Sequence, residues 1–598
     1  MSLLLAWAWL FTLPGLLLTV LGVGRRPGAA SLAGPALIAA VALGWLLGPR
    51  TPADVVLANW LPFLPNGAFH LRVDALSALM LAVVGVVSLC VYIYALAYME
   101  EEPPSGQRRF FAFLDIFVAS MAILVLAGNL ALLLVGWTGV GLASFLLISF
   151  WHERPGAIGA GLQALAANAV GDAALLLAIV LLPAGCGDLL TLQTPTCVAV
   201  PGGAGLVATL LVIAASAKSA QGPLYFWLPS AMAGPTPVSA LIHAATMVAA
   251  GVYLLVRTHA LLAAAPTVAL ATAVIGVLTA LGGGLASLQQ SNFKRGLAYS
   301  TVSQLGYMFA GIGLGAPFAA MFHLVTHAAF KALLFLAAGV VIHARHGHEE
   351  LAALGGLRRA LPGAHLAFLI GSLALIGVPG LSGAFSKDAI LEAAERANLL
   401  LGLALAGAVF LTGLYIGRLF FGVFYGPRPD ESRVTSHESR VTSSSSPDPG
   451  LANRDSRLDE PALMLWPLVP LAIGAVLLGY LEWPSGLLSG LLGDTAGHAE
   501  PVRFISPLGA AAALLGLAGF ALSARQSREP ARERPGVPEA VEQVHATAGA
   551  ASGWVGGVAE AGLGLAGRLA AVHTGQLGRY VLVSVLGIAV ILLIGLRP

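Results

Sequence analysis

Lys218, Lys331 and Lys387, three of the four lysines among 598 residues, lie inside long apolar runs. A charge in hydrocarbon is costly and by default marks function. Arginine keeps its proton at any accessible pH, whereas a desolvated lysine can release and regain one. Lysine at such depth therefore points to proton chemistry. His323, His327 and Lys331 follow at i, i+4 and i+8, a spacing that stacks them on one helix face about 6 Å apart. Imidazole titrates near neutrality and passes a proton through either ring nitrogen, which suits the middle of a relay. His243 is the corresponding candidate earlier in the chain. Acids at this depth are few. Asp172, near the middle of its run, is better placed to pair with Lys218 than Asp115, which sits near the inner end of its own. Asp388 adjoins Lys387, but consecutive helix residues point about 100° apart, so Asp388 is expected to face a different neighbour.

These side chains need a scaffold that crosses lipid. Hydrophobic residues make up 58% of the chain and charged residues 10%, with mean hydropathy +0.86, far from a soluble domain. The composition predicts an all-α polytopic membrane protein with about 16 transmembrane helices. The runs fall near 3–23, 31–48, 75–98, 110–127, 129–150, 157–183, 205–229, 237–262, 266–286, 298–315, 318–344, 363–392, 398–425, 462–481, 505–524 and 578–596. Two are interrupted, at Gln221-Gly222-Pro223 and at Val378 to Gly383, each beside an intramembrane lysine. Backbone freed by such a break is tolerated only in a protein or water cavity, the mark of a transport site.

The three cysteines form no CxxC or Cys/His cluster, so no metal or cofactor site is expected in this chain. Cys186 and Cys197 share one loop and are open to either a disulfide or two thiols. The opening run lacks a charged n-region and is expected to stay as a first span. An outside N-terminus puts about 21 Lys and Arg in inward segments and about six outside, as the positive-inside rule requires. Residues 427–460 carry the repeat ESRVTSH/ESRVTSS and a serine run, the composition of a disordered cytoplasmic linker. Residues 525–577 are Ala/Gly/Glu-rich with weak helical periodicity. No nucleic-acid partner is expected.

Four segments carry a resemblance. Ala217 to Leu254 (AKSAQGPLYFWLPSAMAGPTPVSALIHAATMVAAGVYL), Phe293 to Phe309, Phe322 to Ala344 and Pro379 to Leu391 closely resemble the antiporter-like membrane subunits of respiratory complex I. Leu71 to Leu81 and His573 to Val583 are similar to the largest, most distal of these. The resemblance implies two inverted five-helix repeats with broken helices, residues 110–262 and 263–426, after three N-terminal helices in 1–109. It further implies two helices in 461–524, a lateral amphipathic helix in 525–577 and a last span in 578–598. It assigns the proton pathway to Lys218, His243, His323, His327, Lys331 and Lys387, with Asp172 matching a family acid; Asp388, beside Lys387, completes the candidate pathway. Three positions depart from the family pattern: Thr138 stands for a glutamate, Ala169 for an arginine and Ser230 for an aspartate.

The implied function is non-redox proton translocation in an NADH:quinone oxidoreductase of a bacterial inner membrane. FMN, iron-sulfur clusters and quinone would belong to partner subunits, and another antiporter-like subunit would be a neighbour. Two other readings stay open: a subunit of a multisubunit cation/proton antiporter or ion-coupled uptake complex, and an assembly subunit whose first half-channel is silent.

Overall fold

The computed structural model describes residues 1–22, 27–61, 64, 67–183, 185–198, 204–428, 458, 460–493 and 505–526. Most of the expected linker, the lateral helix and the last span lie outside them. In lipid every backbone N–H and C=O must find a partner within the segment, which leaves the helix as the solution for an open chain. Eleven helices among the described residues are long and apolar enough to span a bilayer, from Ala30–Leu47 to Pro507–Arg525. Ala8–Val20, Ala204–Lys218 and Pro362–Ile376 are shorter apolar helices. Phe293–Gly313 is also helical although rich in Ser, Thr, Gln and Tyr; it is enclosed by other helices almost throughout. The chain is thus a multi-pass, mostly helical membrane protein.

Helix boundaries follow local chemistry. Asp74 and Ser77 form a reciprocal capping box ahead of Ala75–Tyr98. The Asn129 side chain accepts from Leu132 N, and that of Asn398 from Leu400 N and Leu401 N. Pro104, Pro266, Pro317 and Pro362 open helices, where the missing N–H costs nothing. Pro266–Gln289 and Phe293–Gly313 touch backbone to backbone at Gly276 and Gly306, where any Cβ would collide with the opposite main chain. Small residues serve this close approach in membranes, where burial from water no longer drives helix association.

Pro317–Ala344 is the central helix, buried along its whole apolar window. It packs on Thr236–Ala244, Phe293–Gly313, Pro362–Ile376, Ser382–Ala397 and Leu468–Leu477. Both expected interruptions are present. The first helix stops at Lys218, Ala220 turns back at φ +49°, and the chain re-enters a helix at Trp227. The second helix stops at Ile376, with Gly377 and Gly380 at φ +93° and +90°, and resumes at Ser382. A third break, not anticipated, separates Thr236–Ala244 from Met247–Arg257, just after His243; Thr246 Oγ1 donates to Leu241 O across it at 2.6 Å.

One loop between the helices carries a short sheet that the sequence did not announce. Ala53–Asn59 and Ala68–Val73 pair as an antiparallel hairpin, with an irregularity between Val56 and Asn59. It occupies a loop long enough to fold outside the hydrocarbon, where strand edges are tolerated. Beside it, Cys186 and Cys197 form a disulfide, Cα to Cα 5.4 Å, which closes the alternative the sequence left open. His70 on the hairpin binds Asp188 of that cysteine loop at 2.9 Å, so hairpin and disulfide share one face of the molecule.

Candidate functional site

Ridge by ridge, the central helix sets out the second-half residues. His323, His327 and Lys331 are all buried on Pro317–Ala344, and the His323 and His327 ring centroids lie 6.2 Å apart. His323 Nδ1 is 2.9 Å from Ser386 Oγ, and its Nε2 is 3.3 Å from Gln304 Oε1. Ser386 Oγ also meets Thr326 Oγ1 at 2.7 Å. Ser386 directly precedes Lys387, so its hydroxyl ties the histidine file to the helix that carries the next lysine. At the other end Lys331 Nζ donates to Ser300 Oγ, and to Leu297 O at 3.4 Å. His327 Nε2 has no hydrogen-bond partner among the described residues.

Lys387 shows why the helix is broken here. Its Nζ donates to Leu375 O at 2.6 Å and Ile376 O at 3.5 Å, the last carbonyls before the interruption. A helix C-terminus presents unpaired carbonyls and a partial negative charge, and the ammonium supplies what the missing turn would have. The Nζ also lies 5.1 Å from the Tyr307 ring centroid. Asp388 faces away from this lysine's acceptors: its Oδ1 accepts from Ser506 Oγ at 2.6 Å and its Oδ2 from Ser506 N at 2.8 Å.

His243 lies between the two halves. Its ring centroid is 4.6 Å from that of Phe335, one turn beyond Lys331, and neither ring nitrogen has a partner among the described residues. The break at Ala245 and Thr246 sits two residues on.

The first half is sparser. Lys218 is fully buried, its Nζ 3.9 Å from Asp172 Oδ1 and 5.4 Å from the Trp137 ring centroid, with no hydrogen bond among the described residues. Asp172 is 26% exposed, so this pair reaches the edge of the protein. Asp115 is engaged elsewhere, by Ser31 Oγ at 2.6 Å and Tyr92 Oη at 3.1 Å. Of the three departing positions, Thr138 and Ala169 are exposed on the outer surface of the chain. Thr138 Oγ1 turns back to Leu134 O at 3.0 Å, and Ser230 Oγ to Phe226 O at 3.2 Å. The fourth lysine, Lys294, is ion-paired with Glu349 at 2.6 Å.

Sequence reasoning missed the connecting hydroxyls and amide: Ser300, Gln304, Thr326, Ser386 and Ser506. A signal was present for the first two. Ser300, Gln304 and Tyr307 recur at i, i+4 and i+7 in one span, a polar stripe that lipid would not accept. Among the described residues no three His, Cys, Asp or Glu side chains converge as a metal site.

Residues 127–413 match the family described as NADH:quinone oxidoreductase/Mrp antiporter, TM, and residues 60–111 match NADH-Ubiquinone oxidoreductase (complex I), chain 5 N-terminus. NADH-quinone oxidoreductase subunit L of Mycobacterium tuberculosis is 40% identical over 498 residues, covering 81% of this chain and 75% of that protein. The Escherichia coli subunit L is 47% identical over 369 residues, 60% of each chain. Among solved structures, the Mrp complex from Dietzia sp. DQ12-45-1b contains a chain that matches with TM-score 0.72 at 28% identity, over 100% of this chain and 63% of that one. Through the shared fold, and through identity that extends over three quarters of a full-length relative, the chain belongs to the NADH-quinone oxidoreductase subunit L family, a membrane subunit of a multisubunit oxidoreductase.

Proposed function

We propose that this chain translocates protons through its second half, driven by quinone reduction in partner subunits, and carries no redox centre itself. One observation carries the reading: Lys331, His327, His323, Ser386 and Lys387 follow one another through the buried centre without an intervening ion pair among the described residues. Structural charges in such surroundings are paired, as Lys294 is. A relay needs the opposite, amines and imidazoles whose proton is held by hydroxyls and carbonyls weak enough to give it back. Lys331 holds its proton against Ser300 and Leu297 O; Lys387 holds its own against the broken helix end.

The step is a series of proton transfers. A shift in charge on the Lys218 side, reaching Lys331 past His243, lowers the hold of Lys331 on its proton by repulsion between like charges. The proton passes to His327 and His323, each accepting on one ring nitrogen and releasing from the other. Ser386 connects His323 to the Lys387 segment. Such coupled groups titrate as a set, so alternation of charge along the file is what a driving reaction can use.

The N-terminus lies outside a bacterial cytoplasmic membrane in this reading. The cation distribution supports it, and so does the Cys186–Cys197 disulfide, which needs an oxidising compartment. That topology puts the hairpin and the cysteine loop outside together. Partners are the quinone, flavin and iron-sulfur subunits and a second antiporter-like subunit. The outward Thr138 and Ala169 support the reading that the first half meets that neighbour across an uncharged face.

The experiment is Lys331→Ala and Lys387→Ala in the intact complex, reconstituted in proteoliposomes. Each lowers protons moved per electron pair while the complex still assembles. Unchanged pumping in both removes the second half from the pathway. A second reading, cation/proton antiport, draws support from the Mrp likeness. Purification of the native assembly separates the two by whether iron-sulfur subunits accompany the chain.

A further inference from the structure

Lys387 and Asp388 point to different neighbours yet line one small cavity, together with Ile376, Gly377, Ile505 and Gly509. Its volume of about 10 Å³ is roughly that needed by one water. On its far side Asp388 is held by Ser506 alone among the hydrogen-bonding side chains described, through both the hydroxyl and the backbone N–H. Ser506 Oγ accepts in turn from Gly509 N at 3.0 Å, so the serine caps the Pro507–Gln526 helix and hands the carboxylate its positive end. A Cβ on Gly509 would overlap Asp388 Oδ1, and the glycine is what permits the approach. From Asp388, Glu392 and Glu395 continue at i+4 and i+7 along Ser382–Ala397, one helix face leading to an exposed end.

We propose that Ser506 is the positioning residue of an outward exit gate: it locks Asp388 as a carboxylate at the Pro507 helix start, and a proton arriving from Lys387 across the cavity releases it. This rests on the proton-translocating reading above. In the step, an N–H bond of the Lys387 ammonium breaks and its electron pair stays on nitrogen. A cavity water takes that proton and gives one of its own to Asp388, where an O–H bond forms. Ammonium and carboxylate become amine and carboxylic acid, and net charge is unchanged. The neutral acid keeps only ordinary hydrogen bonds to Ser506 in place of charge-assisted ones, so the side chain is free to turn to the Glu392 and Glu395 face. Loss of the proton there restores the carboxylate and the lock.

The test uses the intact complex in resting proteoliposomes with an imposed pH gradient. Ser506→Ala keeps the backbone contact and removes the hydroxyl. It is expected to speed passive gradient decay about tenfold, the scale of one charge-assisted hydrogen bond. Ser506→Thr restores tightness, and adding Asp388→Asn to Ser506→Ala abolishes the leak, because no titratable acceptor remains. Gly509→Ala displaces the carboxylate by a different route and is expected to leak as well, which keeps the test available if Ser506→Ala does not assemble. Wild-type decay in the assembled variant overturns the gate. Wild-type decay beside lowered pumping in Lys387→Ala removes the gate alone; normal pumping in Lys387→Ala removes the pathway it serves.

Discussion

The hairpin clamp gives a prediction whose size and pH dependence both follow from geometry. His70 Nε2 is 2.9 Å from Asp54 Oδ1 and its Nδ1 is 2.9 Å from Asp188 Oδ2. For both to be hydrogen bonds, both ring nitrogens must carry protons. The Asp188 hydrogen bond accordingly raises His70 above its ordinary value of 6.5, against burial and with help from Asp54. Asp188 is pushed up by burial, but the bond from His70 and the Leu190 N–H outweigh that and lower it below 3.8. The signs differ. Stability from His70 is complete below about pH 6.5 and is lost as pH rises through its raised native value. Stability from Asp188 is complete above about pH 3.8 and is lost as pH falls through its lowered one. The clamp is therefore full from about pH 4 to 6.5 and weakens on the alkaline side.

For His70→Ala, the bond to Asp188, whose side chain is 25% exposed, contributes about 1.5 kcal/mol. The bond to Asp54, 44% exposed and shared with Arg72, contributes about 0.5 kcal/mol. Together these amount to about 2 kcal/mol, or roughly thirtyfold in local opening. Hydrogen exchange measured by mass spectrometry over 53–59, 68–73 and 185–198 reads this directly. Wild-type protection, corrected for intrinsic rates, should fall from pH 6 to pH 8, and His70→Ala should be low at both. Equal protection at the two pH values in the wild type refutes the doubly protonated clamp.

Two further predictions concern the first half and the cysteine loop. Thr138→Glu places a carboxylate one turn from Gly141, whose Cβ position lies 2.8 Å from Lys218 Nζ, within reach of residues three apart on a helix. Protons moved per electron pair should change; an unchanged ratio means the first half is silent. Replacing Cys186 and Cys197 together by serine opens a short loop, worth about 3 kcal/mol by chain entropy. Exchange over 185–198 should rise accordingly, and after reduction of wild-type cells an impermeant maleimide should label Cys186 and Cys197 from outside. Labelling confined to inside-out vesicles refutes an outside N-terminus.

Much of this was legible because lipid enforces simple rules. An apolar run of sufficient length must be a helix, so Ala75–Tyr98 coincides with the sequence expectation at both ends. Gly and Pro beside a buried lysine announce a break, as at Gly222 and Pro379. Other features obey rules that a one-dimensional pattern does not carry. The hairpin depends on pairing between Ala53–Asn59 and Ala68–Val73 across a turn. The break after His243 has no Gly or Pro to mark it. Phe293–Gly313 begins five residues before the apolar run suggests, because neighbouring helices enclose its Lys294 and Ser300. Ser506 gave no signal at all, since its partner Asp388 is 118 residues away.

The two interrupted helices finally differ in a way that bears on which half pumps. Each has a lysine beside its break, where a half-helix ends in its negative pole. Lys218 is itself the last helical residue, and its ammonium turns away toward Asp172. Its charge is balanced by a second charge, and losing one would strand the other. Lys387 comes from beyond the break and reaches back to Leu375 O and Ile376 O. Its hydrogen bonds go to backbone dipoles and not to a carboxylate, so deprotonation breaks no direct ion pair and releases two carbonyls at a joint already held by glycines. Proton loss at Lys387 is thereby tied to the conformation of the break. At Lys218 the same loss is tied to the protonation of Asp172, which stands at the edge of the protein where a neighbouring subunit can alter it.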